Sequence, residues 1–322
     1  MPHEALRAYL LKITGASAIK SIKQIQELWS SYGEILRVRF SDSAPLVVKR
    51  IQWPESIHHP RGWGTDFSHQ RKVKSYDVEI NFYQQHATVN DFFRTPKYLA
   101  TTRLDKDIVL VLEDLDAQGF SRRPTSLTRE EIESCLHWLA NFHAHFLEKE
   151  PTGLWQTGTY WHLATRPDEL KTLTDSTLKN AAEKFDQALK QVPQTFVHGD
   201  AKLANFCFGD NSPSVAAVDF QYVGGGCGMQ DVAYFIGSCL NERECEDNEQ
   251  WILDHYFSEL RLALKRNKHP IVPEQLEKSW RYIFPVAWAD FYRFLEGWSP
   301  GHWKINDYSQ KMYRKALKLV TT

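Results

Sequence analysis

The chain has 322 residues, with 39 Lys plus Arg against 40 Asp plus Glu and a formal net charge of −1. That balance lacks the electrostatic footprint of a dedicated nucleic-acid binder, and no run of about 18 apolar residues marks a transmembrane helix. The length suggests two domains or lobes, with enough buried surface to fold without a disulfide or a structural metal.

The N-terminal apolar stretch, Ala5 to Ile13, is broken by Arg7 and Lys12 and does not read as a signal peptide. Residues 21–51 carry three short apolar runs: Ile22, Ile25 and Leu28, then Ile35, Val38 and Phe40, then Leu46-Val47-Val48. Ser30-Ser31-Tyr32-Gly33 and Ser41-Asp42-Ser43-Ala44-Pro45 separate them as turns, so a meander of three antiparallel strands is expected. Pro54, Pro60, Gly62 and Gly64 predict a loop over 54–66. A helix is predicted over 68–86, with Val73, Val78 and Phe82 on its apolar side.

Asp107 opens Ile108-Val109-Leu110-Val111-Leu112, a run short enough for a buried strand, which ends at Glu113-Asp114. From about residue 120 the pattern turns helical. Thr128 and Glu131 form a capping box before Ile132, Cys135, Leu136, Leu139, Ala140, His143, Phe146 and Leu147. Further helices are predicted over 231–240, 249–266 and 274–298, the last kinked near Pro285. Phe196-Val197 and Val215-Ala216-Ala217-Val218 read as strands that each deliver a carboxylate, Asp200 and Asp219. The boundaries that follow are a strand-rich lobe, 1–115, and a larger helical lobe, 116–322. Cys135, Cys207, Cys227, Cys239 and Cys245 are odd in number and form no C-x-x-C. They read as free thiols in a cytoplasmic protein.

The informative segment is His198-Gly199-Asp200-Ala201-Lys202-Leu203-Ala204-Asn205, followed 14 residues after Asn205 by Asp219. Phosphoryl transfer needs hard oxygen ligands for Mg²⁺. It also needs a carboxylate facing the acceptor hydroxyl and a cation to offset charge on the transferred group. Asp200 supplies the base, Lys202 the cation and Asn205 a metal ligand from one loop. Asp219 supplies the second metal ligand from a strand end. No H-E-x-x-H or Cys/His zinc spacing competes. His143 falls on the apolar face of its helix and reads as core. Gly224-Gly225-Gly226-Cys227-Gly228 lacks the spacing of a phosphate loop and reads as a tight path between Asp219 and Asp231.

Asp, then Asn five positions on, then a metal-binding Asp resembles the protein-kinase pattern. With Gly after His198, and with Asp231-Val232-Ala233-Tyr234-Phe235 downstream, the chain resembles the aminoglycoside phosphotransferase and choline-kinase-like family of small-molecule kinases. Its ecdysteroid-kinase-like and uncharacterised bacterial branches look nearest. The resemblance implies an α+β, protein-kinase-like fold of two lobes, with a small antiparallel-sheet N-lobe and a mainly helical C-lobe. It also implies transfer of the γ-phosphate of ATP or GTP, with Mg²⁺, to a hydroxyl of a small molecule. Lys49 then stands where the family's third strand carries the lysine that holds the α- and β-phosphates. Val47 shares its face, and Val48 points the other way. Glu79 is its implied partner, with Glu55 as a competing carboxylate. Ser31 and Gly33 would belong to the phosphate-covering turn, and the backbone of Glu113 and Leu115 would read the adenine edge. His198 would order its loop, and Asp231 would support it.

Only 12 residues separate Asp219 from Asp231, which leaves little room for the activation segment a protein substrate requires. The acceptor is therefore expected to be small, with no nucleic acid, membrane or obligate protein partner. The C-terminal Trp280, Tyr282, Trp288, Asp290, Phe291, Tyr292, Glu296, Trp298 and Trp303 offer rings and acids that would suit a cationic or amphipathic alcohol. The helical spacing of Trp280, Phe284, Trp288, Phe291 and Leu295 favours a core role for most of these rings, so the acceptor stays unidentified. The alternative to an enzyme is a catalytically silent, kinase-like nucleotide-binding module. The presence of Lys49, Asp200, Asn205 and Asp219 together favours turnover.

Overall fold

A computed structural model describes residues 4–53, 66–88 and 90–321. All but the last residue of the loop expected over 54–66 lies outside the described residues, as do Glu55 and the His58-His59 pair.

Helix α1 (Glu4–Thr14) leads into strands β1 (Ile19–Glu27), β2 (Gly33–Phe40) and β3 (Leu46–Ile51). Helix α2 (Asp66–Asn81) continues as a π turn to His86, and β4 (Tyr98–Leu104) and β5 (Asp107–Glu113) complete an antiparallel sheet. Its order is β1-β2-β3-β5-β4. The expected three-strand meander is present, extended by β5 and by β4, which sequence patterning passed over.

The apolar run of β5 is continuous because both of its faces are covered. Val109 and Val111 join Leu36, Val38 and Val48 in a cluster capped by Leu6 and Leu10 of α1. Ile108, Leu110 and Leu112 face the other way, into the main core with Tyr76, Val78 and Phe82. Strand β1 is a largely exposed edge, and Lys20 and Lys23 there discourage pairing with another chain.

The remainder is mainly helical. Helices α3 (Arg129–Phe146), α4 (Pro167–Thr172) and α5 (Ser176–Lys190) precede short strands β6 (Thr195–Val197), β7 (Phe206–Phe208), β8 (Val215–Ala217) and β9 (Gly224–Gly226). Strand β6 pairs with β9, and β7 with β8. Helices α6 (Gly228–Cys239), α7 (Glu242–Arg266), α8 (Pro273–Trp298) and α9 (Asp307–Thr321) follow. Helix α8 runs through Pro285 as one element. The glycine run is thus a strand, and its lack of side chains is a packing requirement. A Cβ on Gly224 would stand 2.1 Å from the Trp155 carbonyl oxygen. Among the described residues no helix is long and apolar enough to cross a membrane, and all five cysteines are free thiols.

Helix α3 starts as expected. Thr128 Oγ1 accepts from the Glu131 amide at 3.3 Å, and the Glu131 carboxylate accepts from the Thr128 amide at 2.9 Å. Replacing Thr128 by Ala leaves one of these donors without its partner. The Thr128→Ala variant is expected to lose about 1 kcal/mol of stability, read as a lower midpoint in urea unfolding.

Candidate active site

Strand β6 ends at Val197, and after His198 the chain turns sharply. Gly199 makes that turn at φ 78°. A Cβ there would lie 2.1 Å from the Tyr222 carbonyl oxygen and 2.7 Å from the Thr159 amide nitrogen, so glycine is required on two counts. The first turn of α6 fixes the loop from below. Asp231, fully buried, accepts from the His198 amide at 2.5 Å and from the Gly199 amide at 2.9 Å. His143 of α3 lies 3.2 Å from the same carboxylate and is itself held by the Tyr256 hydroxyl at 2.7 Å. His143 is therefore a core residue that supports a carboxylate.

His198 links two segments. Its Nε2 lies 3.0 Å from the Val218 carbonyl oxygen, and its Nδ1 accepts from the Asp200 amide at 3.2 Å. This pattern assigns the proton to Nε2. The imidazole thus ties the chain just before Asp219 to the chain at Asp200. A backbone bond from the Val218 amide to the Asn205 carbonyl, 3.0 Å, brings Asn205 to the same place.

The carboxylate of Asp200 is buried. Its Oδ2 accepts from Lys202 Nζ at 2.7 Å and from Asn205 Nδ2 at 3.1 Å. Its Oδ1 is buried with no hydrogen-bond partner within 3.5 Å, and the Tyr234 hydroxyl stands near enough that, after burial, the Asp200 carboxylate helps push the tyrosine's pKa up. Asn205 Nδ2 also donates to the Asp200 carbonyl at 2.7 Å, which leaves the amide oxygen as its remaining polar atom. Asp219 sits in the left-handed region at φ 68°, a strained conformation for a residue with a side chain. Its Oδ1 accepts from Gln221 Nε2 at 2.7 Å and from Lys49 Nζ at 3.3 Å. Burial would raise the Asp219 carboxyl, but the ammonium groups of Lys49, Lys202 and Lys72 outweigh it and hold the group well below the usual carboxylate range.

Lys49 of β3 also pairs with Glu79 of α2 at 2.7 Å, both nearly fully buried. Burial works against the lysine's charge, yet the two carboxylates raise its pKa above the ordinary value. Glu79 is pushed up by burial despite its partner. Residues Val47 and Lys49 line one cavity of about 710 Å³ between the sheet and the helical part, while Val48 packs away from it. Asp200, Lys202, Asn205 and Asp219 line the same cavity.

The other expected residues divide. Glu113 and Leu115 lie on the cavity wall. The Glu113 amide is already committed to the Lys97 carbonyl at 3.0 Å, and its carboxylate to Arg94 at 2.6 Å. The turn between β1 and β2 reaches the cavity through Leu28 and Trp29; Ser31 and Gly33 are not on its wall. Ser31 Oγ donates to Glu27 at 3.2 Å. Gly33, at φ 121°, is there because a Cβ would strike the Arg50 carbonyl oxygen at 2.0 Å.

Lys72, Arg166 and Lys304 line the cavity and escaped sequence reasoning. Lys72 of α2 donates to Gln221 Oε1 at 2.8 Å, and burial together with the Lys49 charge lowers its pKa to about 8. Gln221, in the place where protein kinases carry glycine, thus bridges Lys72 and Asp219. Arg166 and Lys304 line the end of the cavity beyond Asp200, with Tyr160, Phe291, Phe294 and Trp298. The acids expected there are absent from the wall. Asp290 is buried against Arg293 at 2.9 Å and the Trp161 indole at 3.0 Å, and Glu296 accepts from the Tyr292 hydroxyl at 2.6 Å. Trp280 and Trp288 are core, while Tyr282 and Trp303 are exposed.

The donor set suits Mg²⁺. Among the described residues no group of three His, Cys, Asp or Glu side chains could hold a metal by itself. One amide oxygen and one carboxylate on a cavity wall are the two protein ligands that Mg²⁺ takes when phosphates and water complete its shell.

Residues 24–270 match the family model described as the APH phosphotransferase enzyme family. No curated protein sequence matches the chain. The solved structures it resembles include a microcompartment-associated aminopropanol kinase, 13% identical, with a TM-score of 0.52 over 98% of this chain and 96% of that one. A choline kinase from Streptococcus pneumoniae is also 13% identical, with a TM-score of 0.53 over 99% and 98%. An amicoumacin kinase solved with AMP-PNP and Ca²⁺ is 11% identical, with a TM-score of 0.54 over 98% and 92%. At such identities these likenesses show the protein-kinase-like fold.

The Gly199 turn gives a direct test of the loop. Gly199→Ala forces a side chain into a left-handed conformation and against the Tyr222 carbonyl. It is expected to cost roughly 2 kcal/mol or more, measured as a shift of the urea unfolding midpoint.

Proposed function

The chain belongs to the APH phosphotransferase enzyme family, whose members are small-molecule kinases, and from that premise we propose that it moves the γ-phosphoryl group of ATP to a hydroxyl of a small molecule, with Asp200 as the general base. One observation carries the assignment: Asp200 Oδ1 is buried on the wall of the shared cavity with no hydrogen-bond partner of its own. A buried carboxylate oxygen left unpaired is costly, and an incoming acceptor hydroxyl would satisfy it. Oδ2, held by Lys202 and Asn205, fixes the orientation of the group.

In this reading the N-terminal lobe, 1–115, holds the nucleotide, and the lobe over 116–322 carries the catalytic groups and the acceptor. Lys49, clamped by Glu79, binds the α- and β-phosphates, and the wall at Glu113 to Leu115 receives the base. Asn205 and Asp219 would hold Mg²⁺, which when bound neutralises phosphate charge. Asp200 accepts the proton of the acceptor hydroxyl as its oxygen bonds to the γ-phosphorus. The bond from that phosphorus to the β,γ-bridging oxygen breaks, and ADP leaves. Lys202 is placed to offset charge on the transferred group. Water exclusion falls to closure of the two lobes around the cavity.

Two measurements test this. An ADP-release screen over alcohols, sugars, aminoglycosides, choline-like amines and sterols identifies an acceptor. With it, Asp200→Asn is expected to lower kcat by roughly 10²–10⁴ with little change in nucleotide affinity; unaltered turnover would remove Asp200 from the reaction. Asp219→Ala is expected to abolish Mg²⁺-dependent nucleotide binding in a calorimetric titration, and normal binding would contradict its role as a ligand.

A further inference from the structure

Beyond Asp200 the cavity is bounded by rings and cations. Tyr160, Tyr234, Phe291 and Phe294 form one aromatic cluster, with Tyr160 to Tyr234 at 5.6 Å and Tyr160 to Phe294 at 5.4 Å between centroids. Lys304 lies against one flank, its ammonium 5.1 Å from the Tyr234 ring, 5.5 Å from Phe291 and 5.4 Å from Trp303. Arg166 lies against the other flank, 5.6 Å from the Phe294 ring. Its Nε donates to the Tyr160 carbonyl at 2.8 Å, and Nη1 pairs with Glu169 at 3.3 Å.

The charges on this wall are unbalanced. Arg166 is paired with Glu169 and Lys202 with Asp200, while Lys304 faces the same wall with no partner carboxylate of its own. Among the described residues no carboxylate comes within ion-pair distance of Lys304. Burial, helped by the Lys202 ammonium, outweighs the attraction of Asp200 and lowers the Lys304 pKa to about 8. Keeping an ammonium partly buried without a counter-ion is unfavourable, and contact with three rings offsets only part of that cost. An arriving anion would offset the rest. A cationic acceptor would meet the opposite situation. The ring faces suited to it are already covered by lysine, and like charges would oppose its entry.

We propose that the acceptor of this phosphotransferase is an anionic alcohol, whose hydroxyl meets Asp200 while its oxyanion group, carboxylate or phosphate, is held by Lys304 with Arg166 as the second cation. The inference rests on the phosphotransferase reading and departs from the cationic or amphipathic alcohol that the C-terminal rings and acids would have suited. The acids that suggested a cation, Asp290 and Glu296, are turned to other partners.

The test compares ligands that differ in charge on one skeleton. Calorimetric titrations of protein saturated with AMP-PNP and Mg²⁺ would use para-(hydroxymethyl)benzoate against para-(aminomethyl)benzyl alcohol, and γ-hydroxybutyrate against aminobutanol. Hydroxybutyl phosphate forms a third arm, and its affinity relative to γ-hydroxybutyrate separates a phosphate from a carboxylate. The anionic member of a pair is expected to bind roughly tenfold tighter or more. Lys304→Met is expected to remove that preference and Lys304→Glu to invert it, with affinity for AMP-PNP and Mg²⁺ as the folding control. Equal or tighter binding of the amines, absence of binding by every anion, or an unchanged order in Lys304→Glu would overturn the proposal. The same titrations without nucleotide keep the two readings apart. Failure of Mg²⁺-dependent AMP-PNP binding would count against phosphoryl transfer, and the charge preference would still be measured.

Discussion

The Asp231 carboxylate, buried in the first turn of α6 and accepting the amides of His198 and Gly199, is the contact on which the site's geometry depends. Charge-assisted hydrogen bonds of this kind contribute roughly 1.5–3 kcal/mol each, and losing the carboxylate would strand two buried donors. The consequences pass along the chain. With Gly199 fixed, Asp200 follows, and His198 is presented to the Val218 carbonyl. That contact sets where Asp219 begins. His143 and Tyr256 hold Asp231 from behind, so the loop is anchored in the packing of α3 and α7. The site inherits its rigidity from the helical core.

Electrostatics accounts for the rest of the arrangement. Lys49 and Glu79, both buried, and the half-buried Asp219 form a chain of alternating charge, which is weak support for stability and holds an ammonium group in place on the cavity wall. The strain at Asp219 and the unpaired Oδ1 of Asp200 are costs that fold stability alone would not retain. Their concentration on one cavity wall is the signature of a site held ready for ligands. Lys304 extends the argument to the acceptor end, where the cation is present and its counter-ion is not.

Some of this was legible in the sequence. The unbroken apolar run of β5 announced a strand covered on both faces, and the alternation Val47, Val48, Lys49 placed the lysine on the inner face. The spacing from His198 to Asp219 located the loop and the second strand end, and the family resemblance supplied Asp231 as the supporting carboxylate. Other features left weaker traces. Helix α7 begins at Glu242, earlier than expected, because its acidic first turns show no apolar stripe; the Asn241–Glu244 capping box was the available signal. Helix α5 carried a readable stripe, Leu178, Ala181, Phe185 and Leu189, that went unused. Ser31 and Gly33 looked like a phosphate turn because glycine marks close approach, but the approach is to the neighbouring strand. Lys72, Arg166 and Lys304 belong to no motif, and only the folded chain brings them to one cavity. Asp290 and Glu296 misled for the converse reason: composition counts acids without showing that Arg293 and Tyr292 already occupy them.

The central claim is that Asn205 and Asp219 hold the divalent cation of a bound nucleotide beside Asp200. Anomalous diffraction from crystals grown with AMP-PNP and Mn²⁺ in place of Mg²⁺ tests it most directly. The account predicts anomalous peaks within about 2–2.3 Å of the Asn205 amide oxygen and an Asp219 carboxylate oxygen, with Asp200 Oδ1 open toward the acceptor end. Metal density elsewhere in the cavity, or Asn205 and Asp219 both turned from the ion, would contradict it.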